Sequence, residues 1–181
     1  MRIDKSDKVV TKRLDMVTEF VVKYLCEQGI TISTAESCTG GLLSSAITSV
    51  PGSSKIFWLG LCSYSERAKV EYLGVDAKVI SEYGVYSEQT ASAMAKAIKK
   101  KSGSQIGVGI TGIAGPLPDE DGKPAGTVFV SVTDGEREIV RDLALYDGSI
   151  EPTRENIRFE AVSRALRMVA ELLGHEITEV I

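Results

Sequence analysis

Hydrophobic periodicity along this chain switches repeatedly between a spacing of two and a spacing of three to four, which restricts it to folds that alternate strands with helices. Val10, Leu14, Val17, Val21 and Tyr24 recur at helical spacing between Asp7, a candidate cap, and Gly29. Ile30 to Ala35 then alternates and is β-branched, the pattern of a strand. Leu42, Leu43, Ala46, Ile47 and Val50 mark a second helix, stopped by Pro51-Gly52. Ile56 to Ser63 reads as a second, nearly continuous apolar strand. Short helices are expected from Ser65 to Leu73, ended by Gly74, and from Asp76 to Tyr83; Ser87 caps a longer one carrying Ala91, Met94, Ala95 and Ile98.

A third strand runs from Ile106 to Thr111. Its Gly107 and Gly109 share one face, where they permit close approach of a helix or a ligand. Pro116 to Pro124 is a polar loop. Val128 to Val132 and Ile139 to Tyr146 flank Asp134-Gly135, a two-residue hairpin signal, and a last amphipathic helix carries Ile157, Ala161, Ala165, Met168 and Leu172. Alternating strands and helices imply parallel crossovers with helices on both faces, and the hairpin turns one strand antiparallel. The expected fold is α/β: a three-layer α/β/α sandwich with a mixed, mostly parallel five-stranded sheet, in a single domain spanning 1–181.

The 181 residues carry a formal net charge of −4 with both signs dispersed, which argues against a nucleic-acid partner. No apolar run reaches the ~18 residues of a membrane span, and no apolar signal core follows the charged start, so a cytoplasmic location without membrane association is expected. The three cysteines, Cys26, Cys38 and Cys62, are too widely spaced for a metal pair or a disulfide framework. The single histidine, His175, lies beyond the last helical pattern, so acid–base chemistry falls to Lys, Tyr, Asp or Glu. No metal and no cofactor are expected.

The segments that look least like scaffold each follow a strand: Thr34 to Gly41, Ser63 to Lys69, and Thr111 to Pro116. In open α/β sheets, ligands bind outside the carboxyl ends of the parallel strands. Gly40 and Gly41 open a helix whose free N–H groups favour an anion or a developing oxyanion, with Ser37 at the turn. Ser37 is equally an ordinary helix cap. Lys69 supplies a base for a serine if burial lowers its pKa, with the Tyr64 phenol to relay the proton; a solvated helix lysine fits the same spacing. Arg154 and Arg158 lie four apart near a helix start, where two cations are unfavourable unless an anion joins them.

Together these segments resemble the CinA C-terminal domain family, which includes stand-alone nicotinamide-nucleotide amidohydrolases of the PncC type. The likeness rests on Ala35 to Gly41, Thr48 to Ser54, Tyr64 to Lys69, Leu73-Gly74-Val75, Thr111 to Pro116 and Lys123 to Val128, and runs from about Val9 to Leu173. It implies hydrolysis of the carboxamide of nicotinamide mononucleotide to nicotinic acid mononucleotide and ammonia. Ser37 would be the nucleophile, assisted by Tyr64 and Lys69, with substrate contacts from Thr111, Gly112 and an arginine matching Arg154 or Arg158. It also implies a mixed five-stranded α/β/α sandwich and a homodimer or higher homo-oligomer. The chain departs from the family pattern in its acidic Leu117 to Asp121, in Arg67 beside Lys69, and in a longer Asp147 to Pro152. Two other readings compete: a non-catalytic nucleotide-binding module of the same fold, and a cysteine hydrolase using Cys38.

Overall fold

The computed structural model describes residues 5–177, with side chains from Leu14 onward, so the expected burial of the Val10 side chain lies outside what is described. Helix α1 (Lys5–Gln28) leads into β1 (Ile32–Glu36), α2 (Leu42–Ser49), a 3₁₀ turn (Ser53–Lys55) and β2 (Phe57–Cys62). Next come α3 (Glu66–Ala68), which continues as a π-helical turn (Lys69–Leu73), then α4 (Ala77–Tyr83), α5 (Glu88–Ser102), β3 (Ile106–Gly112), β4 (Val128–Thr133), β5 (Glu138–Asp142) and α6 (Arg154–Leu172).

The five strands lie in the order β2-β1-β3-β4-β5. β1 pairs in parallel with β2 and β3, β4 is antiparallel to β3, and β5 is antiparallel to β4, so four strands share one direction. Packed on one face are α1, α2 and α6, whose Leu14, Val21, Leu25, Leu43, Ile47, Ala161 and Met168 cover Ile32, Val108, Ile110 and Val130. On the other face α4, α5 and the π turn bury Leu73, Ile80, Met94 and Ile98 against Ala35. This is the expected α/β/α sandwich with a mixed, mostly parallel five-stranded sheet.

Gly107 and Gly109 explain how α5 seats itself. A Cβ at Gly107 would stand 2.2 Å from the Ala95 carbonyl oxygen, and one at Gly109 2.4 Å from that of Ala91. The bare strand face therefore admits a helix backbone, not a ligand.

Several local expectations shift. Asp7, the expected cap position, falls within the range of α1. Asp76 and Ser87 do cap, accepting from the N–H groups of Lys78 and Thr90. The hairpin bend is Gly135-Glu136, one residue later than the Asp-Gly signal, because the Asp134 carboxylate itself accepts from the Glu136 and Arg137 N–H groups. β5 ends at Asp142 rather than Tyr146: Ala144 takes a φ of 45°, although Leu143 and Leu145 still donate to the carbonyls of Val128 and Gly126. β2 is an edge strand, with Trp58 and Cys62 exposed between half-buried Phe57, Leu59 and Leu61.

Candidate active site

The pleat of β1 sends neighbouring residues to opposite faces, and the last residue of the strand and the one after it use that alternation for different ends. Glu36 turns toward α2 and Ser37 toward the π turn. The Lys69 Nζ donates to Ser37 Oγ at 3.0 Å, to the Ser63 carbonyl at 2.9 Å and to the Tyr64 carbonyl at 3.4 Å. Lys69 is 0% exposed and Ser37 4%. A lysine so completely enclosed is uncommon without a carboxylate partner. None of the ion pairs among the described residues includes it.

The local chain explains how the lysine gets there. Ser65 caps α3 through its hydroxyl, and the helix widens at Lys69, whose carbonyl accepts from both Gly74 and Val75. Such π turns put an extra residue into a helical turn and re-aim the side chain at its start. Burial lowers the Lys69 pKa to about 8, with Cys38 and Glu66 acting more weakly in the opposite direction. The amine is thus partly neutral near physiological pH and can accept a proton from the hydroxyl 3.0 Å away.

The structure departs from the sequence reading over Tyr64. The residue is 61% exposed, and its Oη accepts from Arg154 at 3.2 Å; it meets the dyad through its main-chain carbonyl. The phenol is not positioned as a relay between Ser37 and Lys69.

The expected anion cradle at Gly40-Gly41 is also corrected. Gly40 N–H donates to the Ser37 carbonyl, and the N–H groups of Gly41, Leu43 and Ser44 all donate to the carboxylate of Glu36, at 3.1, 3.0 and 2.9 Å. Helix α2 has Gly41 as its cap, at a φ of 93°, so Ser37 is not a helix cap either. Sequence reasoning passed over Glu36. The signal available was a carboxylate just upstream of a glycine-opened helix, where the dipole favours a negative charge.

Thr111 and Gly112 are brought to the same sheet edge in supporting positions. Thr111 is fully buried and donates its hydroxyl to the Val85 carbonyl, while Gly112 packs on β4, where a Cβ would stand 2.4 Å from the Thr127 oxygen. The two arginines divide. Arg158 donates to the Thr39 carbonyl at 2.8 Å and braces the turn after Ser37. Arg154 donates to the Gly115 carbonyl at 2.8 Å as well as to Tyr64, and stays exposed at the rim. A cavity of about 460 Å³ opens between α3, α4 and the 116–124 loop, with Glu66, Val70, Tyr86 and Asp119 in its walls; neither Ser37 nor Lys69 lines it. Tyr86 is a further residue the sequence reading missed; burial and then the Asp119 carboxylate hold its phenol above the ordinary value.

Cys38 is buried, and desolvation pushes its thiol up to about 12, so no thiolate is present at neutral pH. This removes the physical basis for a cysteine nucleophile. Among the described residues no three His, Cys, Asp or Glu side chains gather in a way that could hold a metal ion, and no helix is long and apolar enough to cross a membrane.

The family model for the CinA C-terminal domain matches residues 14–173. A CinA-like protein of Kosmotoga olearia is 43% identical over 159 residues, which make up 88% of this chain and 37% of that protein. The chain spans little more than a third of the length of the curated relatives it matches first. Among solved structures, a competence/damage inducible protein from Agrobacterium tumefaciens superposes with a TM-score of 0.82 at 32% identity, covering 89% of this chain and 96% of that one. A CinA superfamily protein from Escherichia coli superposes at 0.81 with 26% identity, covering 95% and 94%.

Proposed function

The chain belongs to the CinA C-terminal domain family, and from that premise and the Ser37–Lys69 pair we propose that it is a metal-independent amidohydrolase, converting nicotinamide mononucleotide to nicotinic acid mononucleotide and ammonia. The observation that carries the proposal is the buried lysine: its pKa is lowered to about 8, and its Nζ lies 3.0 Å from the serine hydroxyl.

A neutral amine has two hydrogens and one lone pair. The carbonyls of Ser63 and Tyr64, at 2.9 and 3.4 Å, accept the two hydrogens, which turns the lone pair toward Ser37 Oγ. As Ser37 Oγ attacks the carboxamide carbon, its proton passes to Lys69. The ammonium so formed then protonates the departing nitrogen, which leaves as ammonia, and an ester joins Ser37 to the nicotinoyl carbon. Water attacks that ester with Lys69 again taking the proton, and the Ser37 oxygen recovers it as the acid departs. Every proton taken is returned, so neither oxidant nor cofactor is consumed.

Arg154 is the phosphate reader in this scheme. Its guanidinium spends single donors on Gly115 and Tyr64, and three of its five remain for an anion at the rim. An ammonia-release assay against a panel of pyridine nucleotides tests the reading directly. Release from nicotinamide mononucleotide that disappears in Ser37→Ala is the expected result, and no release from any member of the panel overturns it.

A further inference from the structure

The proposed mechanism uses Ser37 and Lys69 but leaves unexplained a fully buried carboxylate directly beside the nucleophile. Glu36 is 0% exposed and is saturated. Its Oε2 accepts from Gly41 and Leu43, and its Oε1 accepts from the Ser44 N–H and, at 2.7 Å, from the Ser44 hydroxyl. Ser44 Oγ lies 2.8 Å from Thr34 Oγ1, which extends the network back onto β1. The neighbouring strand makes room for it: a Cβ at Gly60 would stand 2.5 Å from Ser44 Oγ. Three elements are thus shaped around one carboxylate.

We propose that Glu36 is the positioning residue of the nucleophile, fixing the turn between β1 and α2 so that Ser37 Oγ is held against Lys69 Nζ. The inference rests on the serine–lysine reading above and goes beyond it by naming what holds the pair in register.

Ser37 begins a turn whose two ends are both anchored. Its own N–H donates to the Ile110 carbonyl, and its carbonyl accepts from Gly40. The far end, Gly41 to Ser44, is gripped by Glu36. Releasing that grip frees the turn to pivot about the β1 end. The carboxylate must be a carboxylate, because each of its oxygens accepts from a backbone N–H. An amide in either orientation turns an NH₂ group against one of those donors.

Glu36 acts here through geometry: all four of its hydrogen bonds go to the start of α2, and none of its contacts is shared with Lys69, which meets Ser37, Ser63 and Tyr64. The expected signature is therefore a loss in kcat with an unmoved pH midpoint. Misplacement by about 1 Å of one reacting group costs on the order of 100-fold in rate.

The test measures, on the full chain, kcat and KM for nicotinamide mononucleotide and, separately, the rate at which a fluorophosphonate labels Ser37. For folded Glu36→Gln the expected result is that kcat and the labelling rate fall together by about 100-fold, KM stays within about threefold, and the pH midpoint is retained. Asp134→Ala, which removes the carboxylate that closes the β4–β5 hairpin at the end of β4 paired with Gly107, away from Ser37, is the control for generic destabilisation and should keep both rates. Should Glu36→Gln not fold, Ser44→Ala carries the test: it removes one of the four bonds, and labelling should slow by about tenfold, short of the full misplacement cost. Wild-type labelling in either folded variant, or a raised KM with kcat intact, overturns the proposal. A wild-type protein labelled at Ser37 that leaves the mononucleotide intact overturns the amidase reading instead, and the labelling arm still decides the role of Glu36.

Discussion

Lys69 Nζ and Ser37 Oγ lie 3.0 Å apart in a site where the lysine is wholly buried and meets two carbonyls but no carboxylate. The pairing has a thermodynamic consequence. A lysine whose pKa falls from 10.5 to about 8 on folding binds fewer protons folded than unfolded between those values. Stability therefore rises with pH across that window. Below about pH 8 the fold bears the whole penalty of enclosing a charge, which at 1.36 kcal/mol per pKa unit is about 3 kcal/mol.

Replacing Lys69 by Met is accordingly expected to abolish turnover at little cost in stability near pH 7. Against the relieved penalty stands the loss of three hydrogen bonds, to Ser37 Oγ and to the carbonyls of Ser63 and Tyr64, at about 1 kcal/mol each. The two sides nearly cancel near pH 7, so the variant should stay within about 1 kcal/mol of wild type there. With rising pH the penalty disappears and the lost bonds do not, so the variant should fall about 3 kcal/mol below wild type above 10.5, where the lysine is neutral in both states. Thermal melts of both proteins from pH 6 to 11 check this; a Met variant that is less stable at pH 7 than at pH 11 relative to wild type would reverse the sign.

Turnover should follow the same group in the other direction. In the proposed mechanism the neutral amine is the competent form, so kcat/KM should rise with pH toward a midpoint near about 8 and then level off. Lys69→Arg should be inactive over the whole range, because guanidinium does not give up its proton. A pH–rate profile that is flat from pH 6 to 10 rules lysine out as the base.

Tyr64 separates two mechanisms. Its phenol meets Arg154 and its carbonyl meets Lys69, so Tyr64→Phe keeps the contact that matters to the dyad. The expected loss in kcat is less than about tenfold, well under the 10²–10⁴ that removal of a general acid–base group costs. Steady-state kinetics of this one variant decide whether the phenol carries a proton.

How much of this was legible in the sequence follows from what kind of atom does the work. Strand and helix existence was readable because the apolar residues of β1, β3 and α6 bury one consistent face. The Ser37 turn and Lys69 were readable as residue types at the ends of strands. What Tyr64 contributes was not, since its working atom is a carbonyl that every residue possesses. The anion site expected at Gly40-Gly41 was a sound reading of a helix start, but a side chain of the same protein, Glu36, had already filled it. The π turn that aims Lys69 depends on packing of the Leu73 and Val75 side chains into the core, and leaves no local pattern of its own.

The glycine pair in β3 was ambiguous for a related reason: bare strand faces admit helices and ligands alike. Since a Cβ on Gly109 would meet the backbone of Ala91 and Ala95 at 2.4 and 2.6 Å, no side-chain rotation can relieve the clash. Gly109→Ala should cost about 3 kcal/mol, the upper end of ordinary overpacking. Urea denaturation measures it as a lowered midpoint at unchanged slope; an unchanged midpoint would mean that α5 is free to move away from the sheet.

The two arginines give the sharpest test of substrate. Arg154 stands exposed at the rim with donors to spare, whereas Arg158 is committed to the Thr39 carbonyl in the turn after Ser37. If Arg154 reads the 5′-phosphate, its removal damages only substrates that carry one. A charge-assisted contact is worth about 1.5–3 kcal/mol, which is roughly 10- to 150-fold in kcat/KM. Nicotinamide riboside should thus be the poorer substrate of the wild type by about that factor, and Arg154→Ala should bring the mononucleotide down to the riboside's level while leaving the riboside unaffected. Arg158→Ala loosens the turn that bears Ser37 and should lower both substrates in equal proportion, through kcat. Four kcat/KM values for each variant pair decide the matter: equal losses on both substrates in Arg154→Ala would make that arginine a brace like its neighbour and move phosphate recognition elsewhere in the site.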